Sequence, residues 1–215
     1  MKGFVLSLCD RTGNMVAPWL DAGCYAVTVD LQEQENPHPR RHHIIADVKT
    51  WRCPLRYGRP NMVFAFPPCD HLAISGARWF RDKGLRSLIG GLELVDACRE
   101  ICEGSGAPWM LENPVSVLAS YWRAPDHIFD PNDYGDPYIK RTCLWTGAGF
   151  VMPPLIKPGD MFDTPTWVEP TEGSKMHMMP ESEGRAERRS ITSPGFASAV
   201  FRANCFNPEQ KEATQ

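Results

Sequence analysis

Short apolar runs rich in β-formers alternate with helical segments through the first two thirds of this chain, and that alternation limits what it can fold into. Phe4–Cys9, Tyr25–Leu31, His43–Val48, Asn61–Phe66, Pro108–Leu111 and Thr142–Thr146 read as strands. Their apolar character is continuous rather than alternating, which suits parallel strands covered on both faces. Helices are expected around Met15–Gly23 and across Leu85–Cys102, where apolar residues recur at 85, 88, 89, 92, 95, 98 and 102. A further helix is expected after Asn113, with Pro114 at its first position, and a last one from Ser193 through about Ala203. The pattern predicts an α/β fold: a mostly parallel central sheet with helices on both faces.

Length and composition are consistent with this. The chain has 215 residues, of which 42% are hydrophobic and 23% charged, enough for one domain with a substantial core. No apolar run approaches the roughly 18–20 residues that span a bilayer. Met1–Gly13 reads as a first strand and its loop rather than a signal peptide, because Asp10 and Arg11 interrupt the apolar run. The net charge of −3 and pI near 6.1 disfavour a general polyanion binder. The eight cysteines are read as reduced thiols of a cytoplasmic protein, and no set of them has the spacing of a metal site. Residues 150–190 are rich in proline, lack periodicity and carry an acidic balance, so they read as a loop-rich appendage. The expected organisation is a core over 1–149, the appendage over 150–190, a helix returning to the core over 191–206, and a flexible tail over 207–215.

Two strand ends hold the residues with chemistry. Phe66-Pro67-Pro68-Cys69-Asp70 closes one buried strand. Two prolines stiffen that loop and would present the Cys69 thiol, a plausible nucleophile or an ordinary loop cysteine. Trp109-Met110-Leu111-Glu112-Asn113-Pro114 repeats the layout, with a carboxylate at the strand exit. Glu112 is either a general acid at an apolar strand end or a solvated charge at a helix start. Asp30 ends the second strand, where an acid commonly accepts hydrogen bonds from ribose, and Asp47 stands near the end of the third. The loop Cys9-Asp10-Arg11-Thr12-Gly13 lies where a cofactor would meet the first helix, but it lacks the glycine pattern of dinucleotide binders.

Taken in order, these segments resemble the cytosine-C5 DNA methyltransferase family. Leu6–Gly13 resembles its cofactor loop, Phe66-Pro67-Pro68-Cys69 its Pro-Cys motif, Leu111-Glu112-Asn113 its Glu-Asn motif, and Tyr138-Ile139-Lys140-Arg141 the basic motif before a later strand. The resemblance implies a Rossmann-like fold and S-adenosylmethionine as methyl donor. It implies cofactor contacts from Cys9, Asp10, Thr12, Gly13, Asp30, Asp47, Phe66 and Pro67. It implies catalysis by Cys69, Glu112 and Arg141. Cys69 would add to C6 of a cytosine flipped out of DNA, Glu112 would meet N3, and C5 would take the methyl group.

The sequence departs from the family at Arg11, where a glycine is usual, and at Pro114, where valine is usual. Its basic motif is incomplete, and the region available to read a target is short. Arg78, Arg81 and Lys83, set among Trp79 and Phe80, read as nucleic-acid contacts together with Lys140. The same chemistry on a free cytidine nucleotide, and a non-catalytic DNA-binding module on this fold, are the alternatives.

Overall fold

The computed structural model describes residues 3–155 and 191–205. Within them the chain forms β1 (Phe4–Leu8), α1 (Ala17–Asp21), β2 (Tyr25–Asp30), β3 (Arg41–Ile45) and β4 (Met62–Ala65). These are followed by α2 (Phe80–Gly104), β5 (Trp109–Pro114), α3 (Leu118–Tyr121), β6 (His127–Phe129), β7 (Thr142–Gly147) and α4 (Pro194–Cys205). One seven-stranded sheet runs in the order β3-β2-β1-β4-β5-β7-β6. The pairs among β1 to β5 are parallel, and β7 runs antiparallel between β5 and β6.

Continuous apolar strands have a direct cause here, since both faces of the sheet are covered. Leu6, Leu8, Val63, Ala65 and Leu111 face one layer, built on Val95, Cys98 and Cys102 of α2. Val5, Met62, Phe64 and Met110 face the other, built on Trp19 and Leu20 of α1 and Phe196, Ala197 and Val200 of α4. Cys98 and Cys102 are thus packing residues of one helix face, and all eight cysteines are free thiols. No helix among the described residues is long and apolar enough to cross a membrane.

Several elements differ from the sequence reading. The third strand spans Arg41–Ile45, so Asp47 follows it in a turn instead of standing near its end. Asn113 does not cap a helix. β5 continues through Pro114 because β7 pairs against it, with Asn113 opposite Cys143 and Pro114 opposite Thr142. Sheet pairing overrides the local helix-start signal, and the helix begins only at Leu118. β6 was not anticipated: three residues are too few to show a period. α2 starts at Phe80 and is kinked at Gly84, whose φ of 77° and ψ of 168° are non-helical. Gly90 and Gly91 stay helical, and a Cβ at Gly91 would sit 3.2 Å from Leu72 Cδ2.

The appendage over 150–190 lies outside the described residues from 156 onward, as does the tail from 206. Its two flanks are fixed. The Asn204 side chain exchanges two hydrogen bonds of 2.9 Å with the backbone of Val151. Ser193 donates to Asp136, which also accepts the Gly195 N–H at 3.1 Å.

Candidate active site

β1 and β4 are neighbours, yet the chain runs from β1 outward to β2 and β3 before it returns at β4. Strand order reverses there, and crevices that bind ligands in such sheets lie beyond the carboxyl ends of the strands at that point. The loops after β1, β2, β4 and β5 all open on this edge.

After β1 the chain makes a tight, internally bonded loop. Cys9 has a positive φ of 54° and its N–H donates to Val29 O at 2.7 Å. Its thiol meets Cys98 of α2, and that hydrogen bond together with burial pushes its pKa well up. The Asp10 carboxylate accepts from Ser7 Oγ at 2.7 Å, Gly13 N at 2.7 Å and Thr12 Oγ1 at 3.2 Å. Cys9, Asp10 and Thr12 therefore shape the loop with their side chains. At Gly13, φ is +72°, and a Cβ would fall 2.4 Å from Arg41 Nη1, so only glycine fits. At the next strand end Asp30 Oδ1 takes the Gln32 N–H at 2.9 Å. Asp47 Oδ1 takes the Lys49 N–H at 2.9 Å in the turn beyond β3.

β4 and β5 place the second half of the site. Ala65 pairs with Leu111, so Phe66 leaves the end of β4 beside Glu112, which stays in β5 and pairs with Leu144 of β7. The buried Asn113 amide donates to Pro67 O at 3.0 Å and ties the Cys69 loop to the end of β5. Beyond that point the two segments stay together. Ala73 bridges Ser116, Ile74 N–H donates to Val115 O, and Val117 N–H donates to Leu72 O. Cys69 is half-buried at the head of this pairing, and its carbonyl accepts from Leu72 and Ala73 at 2.9 Å.

Phe66 and Glu112 line a shallow cleft with Tyr138, Lys140, Thr142 and Ser193. Cys69 is not among its walls; it stands on the adjoining loop. Glu112 Oε1 is buried and has no hydrogen-bond partner among the described residues. Lys140 Nζ lies 3.6 Å from it, an ion-pair distance just beyond a hydrogen bond. Burial first, then the charge on Asp136, pushes the Tyr138 pKa up to about 12, with Glu112 adding to the rise against a lowering hydrogen bond to Ser193. The hydroxyl of Tyr138 is therefore protonated throughout the neutral range.

Arg141 does not join this group. Its side chain is 65% exposed and lies 3.4 Å from Asp130. The reason is side-chain alternation along an extended segment. Tyr138, Lys140 and Thr142 share the side that faces Glu112, and Arg141 takes the other. Arg78 and Arg81 are exposed on the 3₁₀ turn Ile74–Trp79 and the first turn of α2, with the Arg78 guanidinium 5.1 Å from the Trp79 ring centre. Lys83 is exposed too, and its ammonium donates to Asp70 O. Tyr138, Ser193 and Arg41 were not foreseen. In the sequence Tyr138 reads only as part of the basic motif and Ser193 only as the start of the last helix; nothing there marks Arg41.

A solved structure aligns with this fold. A candidate DNA modification methyltransferase encoded within a prophage (E. coli) matches over 67% of this chain at 17% identity, with a TM-score of 0.51. The chain has a Rossmann-like methyltransferase fold. It spans 46% of the length of that protein. A glycopeptide N-methyltransferase, solved with S-adenosylhomocysteine, aligns at 17% identity over 67% of this chain and 56% of its own, with a TM-score of 0.34. No family model matches the chain, and no curated protein matches it by sequence.

Proposed function

We propose that this protein is a DNA cytosine-C5 methyltransferase that uses S-adenosylmethionine. The observation that carries the reading is the buried Glu112 Oε1, which makes no hydrogen bond among the described residues and meets Lys140 only at 3.6 Å, on a strand tied by Asn113 to the loop of Cys69. A buried acceptor without a hydrogen bond is costly unless a ligand supplies a donor. A cytosine offers one at its 4-amino group or at a protonated N3, and its O2 accepts from an ammonium such as that of Lys140.

The residues at the other end of the edge fit the cofactor. S-adenosylmethionine, when bound, supplies an electrophilic methyl group. Asp30 stands where a carboxylate accepts ribose hydroxyls, and Gly13 keeps the β1–α1 loop free of a Cβ at its tightest point. The other matched positions, Cys9, Asp10, Thr12, Asp47, Phe66 and Pro67, frame that crevice in this reading.

Cys69 acts as the nucleophile. Its thiolate adds to C6 while Glu112 stabilises the ring at N3, which makes C5 nucleophilic. C5 takes the methyl group as the S–CH3 bond of S-adenosylmethionine breaks to leave S-adenosylhomocysteine, and its proton then passes to solvent. The C6–S bond then breaks as the C5–C6 double bond re-forms, returning the thiolate. The target base has to leave the duplex stack to enter the cleft. Arg78, Arg81 and Lys83 flank the Cys69 loop and serve the phosphate backbone. The core over 1–149 and α4 form the catalytic body, and 150–190 is the reduced target-reading region.

The test is transfer of labelled methyl from S-adenosylmethionine to unmodified duplex DNA and, separately, to dCMP, followed by mapping of the modified atom. Label at C5 of cytosine in DNA is the expected result. Label in dCMP alone, or on an exocyclic nitrogen, overturns it. DNA carrying 5-fluorocytosine should give a covalent complex that Cys69→Ala abolishes.

A further inference from the structure

Arg41 opens β3, two strands away from the cofactor loop, and is 6% exposed. Its guanidinium is used in full. Nη2 donates to the carbonyls of Asp10 at 3.0 Å and Arg11 at 2.7 Å. Nη1 donates to the carbonyls of Thr12 at 3.1 Å, Glu35 at 2.6 Å and Asn36 at 3.5 Å. Nε donates to Thr28 Oγ1 at 3.0 Å. Three successive carbonyls of the β1–α1 loop thus point at one buried cation. In a trans peptide the N–H points opposite to the carbonyl. The N–H groups of Arg11, Thr12 and Gly13 are therefore turned away from Arg41, and that of Gly13 is taken by Asp10. Gly13 completes the fit, because any side chain there would collide with the guanidinium.

We propose that Arg41 is a positioning residue for the cofactor site: it sets the orientation of the peptide planes from Asp10 to Gly13, and with it the face that the loop offers to the adenosine half of the cofactor. The inference rests on the cofactor reading above and adds a determinant that none of the matched motifs contains. A planar, five-donor fork is needed, because a lysine ammonium has three donors and cannot span six acceptors. The Thr28 hydroxyl, itself 2.9 Å from His43 Nδ1, fixes the fork from behind.

The experiment uses the full chain with Arg41→Lys and Arg41→Ala. Binding of S-adenosylhomocysteine is read by calorimetry, duplex DNA binding by fluorescence anisotropy, and folding by cooperative thermal unfolding. Loss of several charge-assisted bonds should weaken S-adenosylhomocysteine about tenfold to a hundredfold in Arg41→Lys while DNA affinity stays within about twofold. Millimolar methylguanidinium should recover part of that loss in Arg41→Ala and leave Asp30→Ala unchanged. Wild-type affinity in Arg41→Lys overturns the proposal, as does equal loss of both ligands. If neither variant unfolds cooperatively, Arg41 is a folding residue and the proposal fails. If the wild-type chain does not bind S-adenosylhomocysteine at all, the cofactor reading fails first and this inference falls with it.

Discussion

Glu112 and Lys140 are the residues whose replacement says most about the chemistry. Glu112→Gln keeps the size of the side chain and removes the acid. It should lower kcat by about a hundredfold to ten-thousandfold, the usual range for a general acid or base, with affinity for S-adenosylhomocysteine nearly unchanged. Single-turnover methyl transfer and calorimetry check the two halves. Lys140→Ala should cost about tenfold or more in kcat/KM, since it removes the cation beside a buried carboxylate. Arg141→Ala should cost less than about threefold, because its exposed pair with Asp130 belongs to a weak class. The reverse ranking would restore Arg141 to the site. Cys69 and Glu112 could be singled out in the sequence because each follows a buried apolar run, although β7 keeps Glu112 inside the sheet while the Cys69 loop leaves it. The choice between Lys140 and Arg141 could not be read from residue type. It depends on which side of an extended segment faces β5, and β5 lies far away along the chain.

At the scale of elements, the hairpin-like pairing of β6 and β7 hangs on one carboxylate. Asp126 accepts from Thr146 N at 2.7 Å, Thr146 Oγ1 at 3.3 Å and Arg123 at 2.6 Å. Burial alone would raise its pKa, but the Arg123 and Thr146 hydrogen bonds outweigh it and hold the carboxyl below its ordinary value. A depressed folded pKa stabilises the native state above the unfolded value and loses that contribution as pH falls through the folded one. Asp126→Asn should therefore be destabilising near neutrality. In urea titrations its penalty should shrink as pH drops below about 3.9 and through the lower folded pKa.

Docking of α4 has a different weak point. A Cβ at Gly195 would sit 2.2 Å from Tyr134 O and 2.5 Å from Asp136 Oδ2, so Gly195→Ala forces the first turn of α4 outward. A cost of about 1–3 kcal/mol is expected from overpacking, measurable as a fall in the urea midpoint. Helix starts and strand ends were legible where nothing distant competes for them, as at Ser193-Pro194. At Asn113-Pro114 the same signal misleads, because β7 arrives from thirty residues downstream and claims both positions for the sheet.

For the whole molecule, the fold was legible because the central parallel strands β1, β4 and β5 are buried on both sides and announce themselves as apolar runs. β7 reads as a strand in the same way, but its reversed direction leaves no mark, since that is set by the sheet edge it joins. Charge distribution is likewise a property of the assembled surface. The chain is acidic overall, yet Arg78, Arg81, Lys83 and Arg86 lie exposed around the kinked start of α2. If this face tracks a phosphate backbone, the double variant Arg78→Ala, Arg81→Ala should flatten the dependence of log Kobs on log salt by about 0.9 for each contact removed. An unchanged slope would place the DNA elsewhere.

The bonds from Asn204 to Val151 and from Ser193 to Asp136 have a practical reach of their own. They fasten both stumps of the intervening stretch to the same rigid frame, independently of what is spliced between them. A replacement insert, whether shorter, longer or taken from an unrelated chain, would meet the same two rivets. The body is thereby held shut at a point where a foreign segment can be grafted without re-engineering its core.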